Sequence, residues 1–238
     1  MKVAVVGPGK MGREVAEVLR ERAHEPLMVG KKDAFPAGCA VGIDFTRPEA
    51  VVGNVKKALA ARARYVVGTT GWSAHADEVR RLVEEAGSGL VHAANFSVGV
   101  NLFYRIVREA ARTLARFPDY DPYVLERHHR QKKDAPSGTA RSLAEIVEKS
   151  GGQRHRAVTS LSAPLKDDEF LVSAVRAGGI VGEHTVGFDS GGDEILLEHR
   201  ARSRRGFALG AVLAAEWIAS RTGVFGFDAV LADLGPQV

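Results

Sequence analysis

A short stretch of the sequence concentrates side chains that can bind anions or transfer protons. It begins at Glu126 and reads ERHHRQKKDAPSGTA, and six of the seven side chains from Arg127 to Lys133 are basic or titratable. His128 titrates near neutrality, and a lysine beside other cations can have the lowered pKa that suits a proton donor. The stretch could be a nucleic-acid patch, a metal site, a solvated loop or the lining of a pocket for an acidic small molecule.

The residues that follow favour the pocket. Pro136 and the turn Ser137-Gly138-Thr139 predict the start of a helix capped by Ser137 or Thr139. Backbone N–H groups at Gly138 and Thr139 would then form an anion cradle that the helix dipole reinforces. A nucleic-acid surface would need more basic and aromatic residues, and adjacent histidines on a strand point to opposite faces, which disfavours a metal site. A solvated loop stays open as the default alternative.

A glycine loop near the start of the chain is the second candidate site. Gly7-Pro8-Gly9-Lys10-Met11-Gly12 fits the pattern G-x-G-x-x-G, after a strand predicted at 2–6 and before a helix predicted at 13–22. Glycines in this context let the backbone approach a pyrophosphate, whose charge lies at the helix N-terminus. The loop therefore predicts dinucleotide binding.

The end of the second predicted strand bears on the choice of dinucleotide. NAD-specific sites place an acidic residue there, whereas this chain has Lys31 and Lys32, with Asp33 just beyond. Two lysines suit a 2′-phosphate, so the sequence favours NADPH, with use of NADH also open. The alternative is that both lysines are ordinary solvated residues.

Strands alternate with amphipathic helices over the first part of the chain. Strands are predicted at 2–6, 26–30, 42–46 and at the starts of 64–71 and 89–97, and helices at 13–22, 49–63 and 76–87. This alternation predicts an α/β fold with a Rossmann-type, doubly wound parallel sheet in a domain spanning 1–98. The loops GTTG (68–71) and HAANFS (92–97) follow strands at the edge where such sheets bind ligands.

The pattern changes after residue 98. Helices are predicted at 100–117 and 139–150, and strands at 123–129, 155–162, 170–176, 183–188 and 194–202. These elements predict a smaller α+β domain over 99–206 with a mixed or antiparallel sheet. A helix predicted at 207–221 is apolar on most faces, so we expect the C-terminal segment, about 207–238, to pack back on the first domain.

Composition narrows the class of partner and the compartment. The formal charge of +4 suits small anionic metabolites as well as phosphate backbones, and Cys39 is the single cysteine. The chain has no signal-like segment and no apolar run near the ~20 residues that span a bilayer. We expect a cytoplasmic protein that acts on a small molecule, without a nucleic-acid or membrane partner and without a metal.

The basic stretch closely resembles a signature of the dihydrodipicolinate reductase family, E-x-H-H-x-x-K-x-D-A-P-S-G-T-A. Further similarity lies in DFTRPE (44–49), GTTG (68–71), AANFSVGVN (93–101) and VRAGGIVGEHTV (175–186), so the resemblance covers nearly the whole chain. It implies a cofactor domain, a substrate-binding and oligomerisation domain, and a homotetramer. It also implies NAD(P)H-dependent reduction of 4-hydroxy-tetrahydrodipicolinate to tetrahydrodipicolinate in diaminopimelate and lysine biosynthesis, with hydride to C4 and a proton to C3.

The resemblance also implies roles for individual residues. His128 and Lys132 would be catalytic, with Lys132 as proton donor, and His129, Gly138 and Thr139 would hold the substrate carboxylates. Cofactor contacts would come from residues in four segments: Gly7, Pro8, Gly9, Lys10, Met11, Gly12, Lys31, Gly68, Thr69, Thr70, Ala93, Ala94, Asn95 and Phe96. Lys133 directly follows the signature lysine, so an exchange of roles between the two lysines is open.

Two other functions compete with this interpretation. Another two-domain dehydrogenase, such as an aspartate dehydrogenase, would share the glycine loop but would have no reason to carry KKDAPSGT. A dinucleotide-sensing regulator could use the basic stretch on nucleic acid, and its binding would then depend on salt.

Overall fold

The computed structural model describes residues 1–151 and 156–235 and divides into two compact units. The first unit comprises Met1–Val98 and the chain from Arg204 onward, and the second comprises Gly99–Ser203. No helix in the described ranges combines the length and the apolar character needed to cross a membrane.

In chain order, the helices and strands are β1 (Lys2–Val6), α1 (Lys10–Glu21), β2 (Glu25–Val29), β3 (Val41–Asp44), α2 (Val51–Ala60), β4 (Arg64–Val67), α3 (Ala76–Glu85), β5 (Gly89–His92), α4 (Val98–Leu114), β6 (Asp121–His128), α5 (Gly138–Gly151), β7 (Arg156–Val158), β8 (Glu169–Arg176), β9 (Glu183–Asp189), β10 (Glu194–Arg200), α6 (Arg205–Ile218), β11 (Gly223–Gly226) and α7 (Phe227–Leu234). Short 3-10 turns at Pro48–Ala50 and Ser73–His75 precede α2 and α3.

The first unit is built on a parallel sheet with the strand order β11-β5-β4-β3-β1-β2. Its strands are continuous apolar runs, as expected of a sheet that helices cover on both faces. In β1, Val3 and Val5 pack with α1 and α6 on one face, whereas Ala4 and Val6 pack with α2 and α3 on the other. The predicted Rossmann-type sheet is confirmed, and its carboxyl edge carries the glycine loop.

The end of the chain differs from the sequence prediction. The predicted helix at 207–221 is α6, Arg205–Ile218, and it is followed by β11, which pairs in parallel with β5, and by α7. The strand was missed because β11 has only four residues, GVFG, and two of them are glycines. Glycine is depleted in strands, so nothing local to this segment predicts its pairing.

The second unit contains a mixed sheet with the order β10-β9-β6-β8-β7. The central strand β6 runs antiparallel to β9 and parallel to β8, which confirms the predicted mixed sheet. Helices α4 and α5 cover one face with an apolar core that includes Val107 and Leu143. The strand predicted at 155–162 is present as β7, Arg156–Val158, and is shorter than predicted, because residues 159–162 are not strand; residue 155 lies outside the described residues.

Candidate active site

A buried carboxylate, Glu126, organises the basic stretch. It lies on β6 with its side chain fully buried. Its Oε1 accepts hydrogen bonds from Nη2 of Arg176 at 2.6 Å and from the backbone N–H of Ser137 at 3.0 Å, and its Oε2 contacts Nδ1 of His128. Burial would raise the pKa of Glu126, but these three hydrogen bonds outweigh burial and lower it. Glu126 is therefore an ionised hub that joins β6, β8 and the start of α5.

His128 lies two residues further along the same face of β6, and its side chain is buried. Burial lowers the pKa of His128, although the neighbouring Glu126 acts in the opposite direction. Its Nε2 faces the backbone of Gly182, where an ideal Cβ would lie 3.0 Å from that nitrogen. His128 is thus a neutral imidazole at pH 7, and a side chain at position 182 would crowd its Nε2.

The two adjacent lysines have different surroundings. Nζ of Lys132 contacts both carboxylate oxygens of Asp134, at 2.7 and 3.0 Å, and the Lys132 side chain is 23% exposed. Arg176 donates to the backbone carbonyl of Asp134 at 2.6 Å, which links the lysine segment to Glu126. Lys133 is exposed and makes no hydrogen bond or ion pair within the described part of the chain. The structure therefore holds Lys132 in place and leaves Lys133 in solvent.

Ser137 and His184 complete the buried cluster. Oγ of Ser137 accepts the backbone N–H of Ala140 at 3.2 Å, which caps α5 as predicted, and also lies 3.2 Å from Nε2 of His184. The rings of His184 and His128 stand 5.2 Å apart at 73°. Burial, with a smaller contribution from His128, lowers the pKa of His184 to about 4. His184 is consequently neutral at physiological pH.

The other expected substrate contacts lie around the start of α5. Gly138 is exposed, with nothing within 4 Å of an added Cβ, so the helix N-terminus is accessible. Thr139 is half-buried beside the hydroxyl of Tyr104, and burial raises the pKa of that tyrosine against the hydrogen bonds of Thr139 and Ser142. His129 is half-exposed and follows the last residue of β6. The structure groups His128 with the cap of α5 and leaves His129 open to solvent.

A metal ion is the alternative occupant of this cluster. One ligand atom from each of Glu126, His128 and His184 lies within 4.8 Å of the others, a grouping that the sequence did not indicate because His184 comes from a distant strand. However, Arg176 and the N–H of Ser137 already occupy Oε1 of Glu126. The Arg176 guanidinium, 2.6 Å from Oε1, already neutralises the carboxylate and would repel a dication bound beside it, which disfavours a metal here.

In the first unit, the glycine loop has the shape that a pyrophosphate needs. Gly7 adopts φ +101°, and a Cβ on Gly12 would lie 2.0 Å from the carbonyl oxygen of Gly7, so both positions require glycine. Gly9 precedes α1, receives no side-chain cap, and has nothing within 4 Å of an added Cβ. The first N–H groups of α1 therefore face open space, and these residues fit a dinucleotide phosphate.

A second buried carboxylate, Asp44, ties together the loops beside the glycine loop. It accepts hydrogen bonds from the backbone N–H and hydroxyl of Thr46, from Asn54, from Tyr65 and from Thr69, at distances of 2.6 to 3.1 Å. Thr69 is buried, and its hydroxyl also accepts the N–H of Thr46 at 2.7 Å. The hydroxyl of Thr69 thus makes its hydrogen bonds within the protein, so a ligand could contact only the backbone of this residue.

The remaining expected cofactor residues divide into exposed and buried positions. Five of them are exposed: Pro8, Lys10, Lys31, Thr70 and Ala94. Phe96 packs in the core against Phe45 and Phe227, and a Cβ on Gly68 would lie 2.2 Å from the Phe45 ring. Met11 and Ala93 are half-buried against the same core cluster, and Asn95 uses its carbonyl oxygen to accept the N–H of Ser97 at 2.8 Å.

The end of β2 presents both an acid and two lysines. The carboxylate of Asp33 accepts the backbone N–H of Gly30 at 2.7 Å and lines a groove with Phe35 and Lys57. Lys31 and Lys32 are both exposed. A ribose hydroxyl and a 2′-phosphate would each find a partner at this strand end.

Comparison with known proteins agrees with this geometry. The family descriptions "Dihydrodipicolinate reductase, C-terminus" and "Dihydrodipicolinate reductase, N-terminus" match residues 99–231 and 26–96. Among curated proteins, the 4-hydroxy-tetrahydrodipicolinate reductase of Methanoregula boonei is 40% identical over 91% of this chain and 82% of its own length. The enzyme of that name from Christiangramia forsetii is 35% identical over 98% and 99%.

Solved structures give the same result. A dipicolinate-bound dihydrodipicolinate reductase from Paenisporosarcina sp. TG-14 matches with a TM-score of 0.76 and 25% identity, over 97% of this chain and 99% of the other. An amine dehydrogenase from Mycobacterium smegmatis, at 10% identity and a TM-score of 0.57 over 94% of both chains, shares the fold alone. The resemblance read from the sequence is confirmed, and the chain belongs to the dihydrodipicolinate reductase family, the oxidoreductases of diaminopimelate and lysine biosynthesis.

Proposed function

We propose that this chain reduces 4-hydroxy-tetrahydrodipicolinate to tetrahydrodipicolinate. Loss of the C4 hydroxyl and a C3 proton as water leaves a C3–C4 double bond, to which the hydride adds at ring carbon C4 and a proton at C3. The observation that carries the proposal is the arrangement around Glu126, which connects His128, the Lys132 segment and the capped start of α5 through direct hydrogen bonds. Cationic side chains and the N–H groups at a helix N-terminus are suited to a substrate with two carboxylates.

Lys132 is the proposed proton donor, because Asp134 holds its ammonium group while Lys133 lies in solvent. His128 is the second catalytic residue. His129 and the backbone N–H groups of Gly138 and Thr139 hold the substrate carboxylates, as the family signature implies.

The first unit is the proposed dinucleotide-binding domain. Gly7 to Gly12 would hold the pyrophosphate, and the loops at 68–70 and 93–96 would contribute mainly backbone contacts, because Thr69 and Phe96 are buried. A bound reduced nicotinamide supplies the hydride. NADPH is favoured through Lys31 and Lys32, and the Asp33 carboxylate supports use of NADH as well.

The second unit is the proposed substrate-binding and oligomerisation domain, in a homotetramer. In β10, Leu197 packs on the core, so Leu196, which is 53% exposed, points to the opposite face of the sheet. Val175 on β8 is 40% exposed on that same face. We assign this apolar face to contacts between copies of the chain, and light scattering should report four copies. A monomer at micromolar concentration would contradict the assignment. A cytoplasmic location belongs to the same proposal and is consistent with a single, unpaired cysteine.

A coupled assay tests the proposed reaction. The unstable substrate is generated in situ by the preceding pathway enzyme, and oxidation of NADPH and NADH is followed at 340 nm, with omission of that enzyme as the control. We expect oxidation of both cofactors, faster with NADPH at low concentration. Absence of oxidation with either cofactor would contradict the proposal, and salt-sensitive DNA binding without turnover would instead support a regulator.

A further inference from the structure

We propose that Glu126 is a positioning residue that fixes the tautomer of His128, keeping the proton on Nδ1 and leaving Nε2 as a hydrogen-bond acceptor. The inference rests on the proposed function, since it concerns how His128 takes part in that reaction. Its chemical consequence is that Nε2 of His128 accepts a hydrogen bond and does not donate one. Nε2 of a neutral imidazole with its proton on Nδ1 cannot donate to a substrate carboxylate, so it must accept from a donor such as the Lys132 ammonium or a substrate N–H or O–H group.

The first argument is the occupancy of the two carboxylate oxygens of Glu126. Oε1 takes both the guanidinium of Arg176, at 2.6 Å, and the backbone N–H of Ser137, at 3.0 Å. Oε2 contacts His128. An ionised carboxylate can only accept hydrogen bonds, so the shared proton must sit on Nδ1 of His128.

The second argument is the charge state of the pair. The hydrogen bonds from Arg176, Ser137 and His128 lower the pKa of Glu126 against its burial, and burial lowers the pKa of His128 against Glu126. The charged and titratable groups around His128 are Glu126 on β6, Arg176 on β8, His184 on β9 and Lys132 in the loop after β6. The combination of a carboxylate and a neutral histidine is therefore stable near pH 7.

The third argument is the surroundings of Nε2. Gly182, the residue just before β9, lies beside this nitrogen, and an added Cβ there would approach Nε2 to 3.0 Å and Cδ2 to 3.3 Å. The imidazole is thus confined on one side by backbone and on the other by Glu126. A ring held in this way keeps its orientation, and only the position of its proton remains to be fixed.

The test is the substitution Glu126→Gln, which preserves shape and removes charge. The amide oxygen can keep the bonds from Arg176 and Ser137, and its NH₂ then replaces Oε2 and can only donate. Nδ1 of His128 must become the acceptor, and the proton moves to Nε2. We expect kcat to fall about 10²-fold or more with KM changed less than about threefold, as when a triad aspartate is replaced by asparagine.

The readout specific to tautomer is ¹⁵N NMR of histidine-labelled protein at pH 7.5, with the His128→Asn spectrum used to assign the resonances. We expect a protonated Nδ1 in the wild type and a protonated Nε2 in Glu126→Gln. The matched control is Glu169→Gln, since Glu169 also pairs with an arginine, Arg156, but lies at the opposite end of β8. It should change neither the His128 signals nor kcat.

The outcomes separate the inference from the proposed function. A wild type without turnover contradicts the function, whereas the wild-type spectrum still reports the tautomer. A wild-type His128 with its proton on Nε2, or doubly protonated at pH 7.5, overturns the inference even if Glu126→Gln fails to fold. A Glu126→Gln protein with a switched tautomer and unchanged kcat overturns the positioning role.

Discussion

The two units each bury a carboxylate completely, and they satisfy it in different ways. In the first unit, Asp44 accepts five hydrogen bonds, all from hydroxyl, amide or backbone donors that carry no charge. In the second unit, Glu126 accepts from a guanidinium, an imidazole and one backbone N–H. Both solutions meet the requirement that a buried carboxylate be fully hydrogen-bonded.

The difference indicates what each network is for. Burial raises the pKa of Tyr65 well above its usual value, with Asp44 adding to the effect, so this donor to Asp44 keeps its proton throughout the physiological range. The Asp44 network therefore fixes loops. The Glu126 network contains His128 and, through Arg176 and Asp134, reaches Lys132, so it couples a buried charge to the two groups proposed to take part in proton transfer.

Removal of the proposed proton donor should give the largest effect. Lys132→Ala should lower kcat by about 10² to 10⁴, since a positioned acid contributes this much to rate. Lys133→Ala is the matched control and should leave kcat within about twofold, because its exposed side chain makes no hydrogen bond or ion pair within the described residues. Steady-state kinetics in the coupled assay checks both. The reverse result would assign the donor to Lys133.

Loss of Asp44 should instead appear as loss of stability. Asp44→Ala removes the acceptor of the Thr46, Tyr65 and Thr69 hydroxyls and the shorter of two hydrogen bonds from Asn54, which should cost about 3 kcal/mol or more of unfolding free energy. Both tryptophans, Trp72 and Trp217, belong to the first unit, so their fluorescence in urea reports this loss.

Asp44→Asn sharpens the comparison with Glu126→Gln. It keeps one acceptor oxygen and should cost less than Asp44→Ala, with kcat of the folded protein changed only modestly. If Asp44→Asn lowered kcat as much as Glu126→Gln at unchanged stability, the proposed separation between a structural and a catalytic carboxylate would be wrong.

The free energy of unfolding should also depend on pH because of a buried histidine in the second unit. With a folded pKa of about 4, His184 is neutral when folded, but it protonates near pH 6.5 when unfolded. The stability that the folded protein has with a neutral His184 is therefore fully present above about pH 6.5 and is lost as the pH falls towards 4. Between pH 7 and pH 5 this loss is about 2 kcal/mol of unfolding free energy. Urea unfolding followed by circular dichroism should show that His184→Asn loses less stability than the wild type over this range. An equal pH dependence would contradict the lowered pKa.

The smallest expected effect concerns cofactor choice in the first unit. Replacing Lys31 and Lys32 together by Ala should weaken NADPH about tenfold and NADH much less, because only NADPH carries the 2′-phosphate. The ratio of KM values for the two cofactors checks this. Equal weakening of NADPH and NADH would indicate that the lysines do not select between the cofactors and would leave that role to Asp33, whose carboxylate lies at the end of β2.

Local patterns in the sequence predicted the parallel sheet, the glycine loop and the cap at Ser137, because each depends on neighbouring residues. The partners of Glu126 depend on strand register. Residue 126 lies opposite His184 on β9, and His128 lies opposite Arg176 on β8, and both partners are about fifty residues away in the chain. No local spacing predicts such pairs. Asp44 was missed for a related reason, since its donors come from three separate segments.

Isotope transfer tests the central claim most directly. The reaction is run with NADPH that carries deuterium at the transferred position, and separately in D₂O with ordinary NADPH, and the product is analysed by NMR. The account predicts deuterium from the cofactor at C4 and deuterium from solvent at C3, with the solvent label delivered much more slowly by Lys132→Ala. Cofactor deuterium at C3, or no cofactor deuterium in the product, would contradict it.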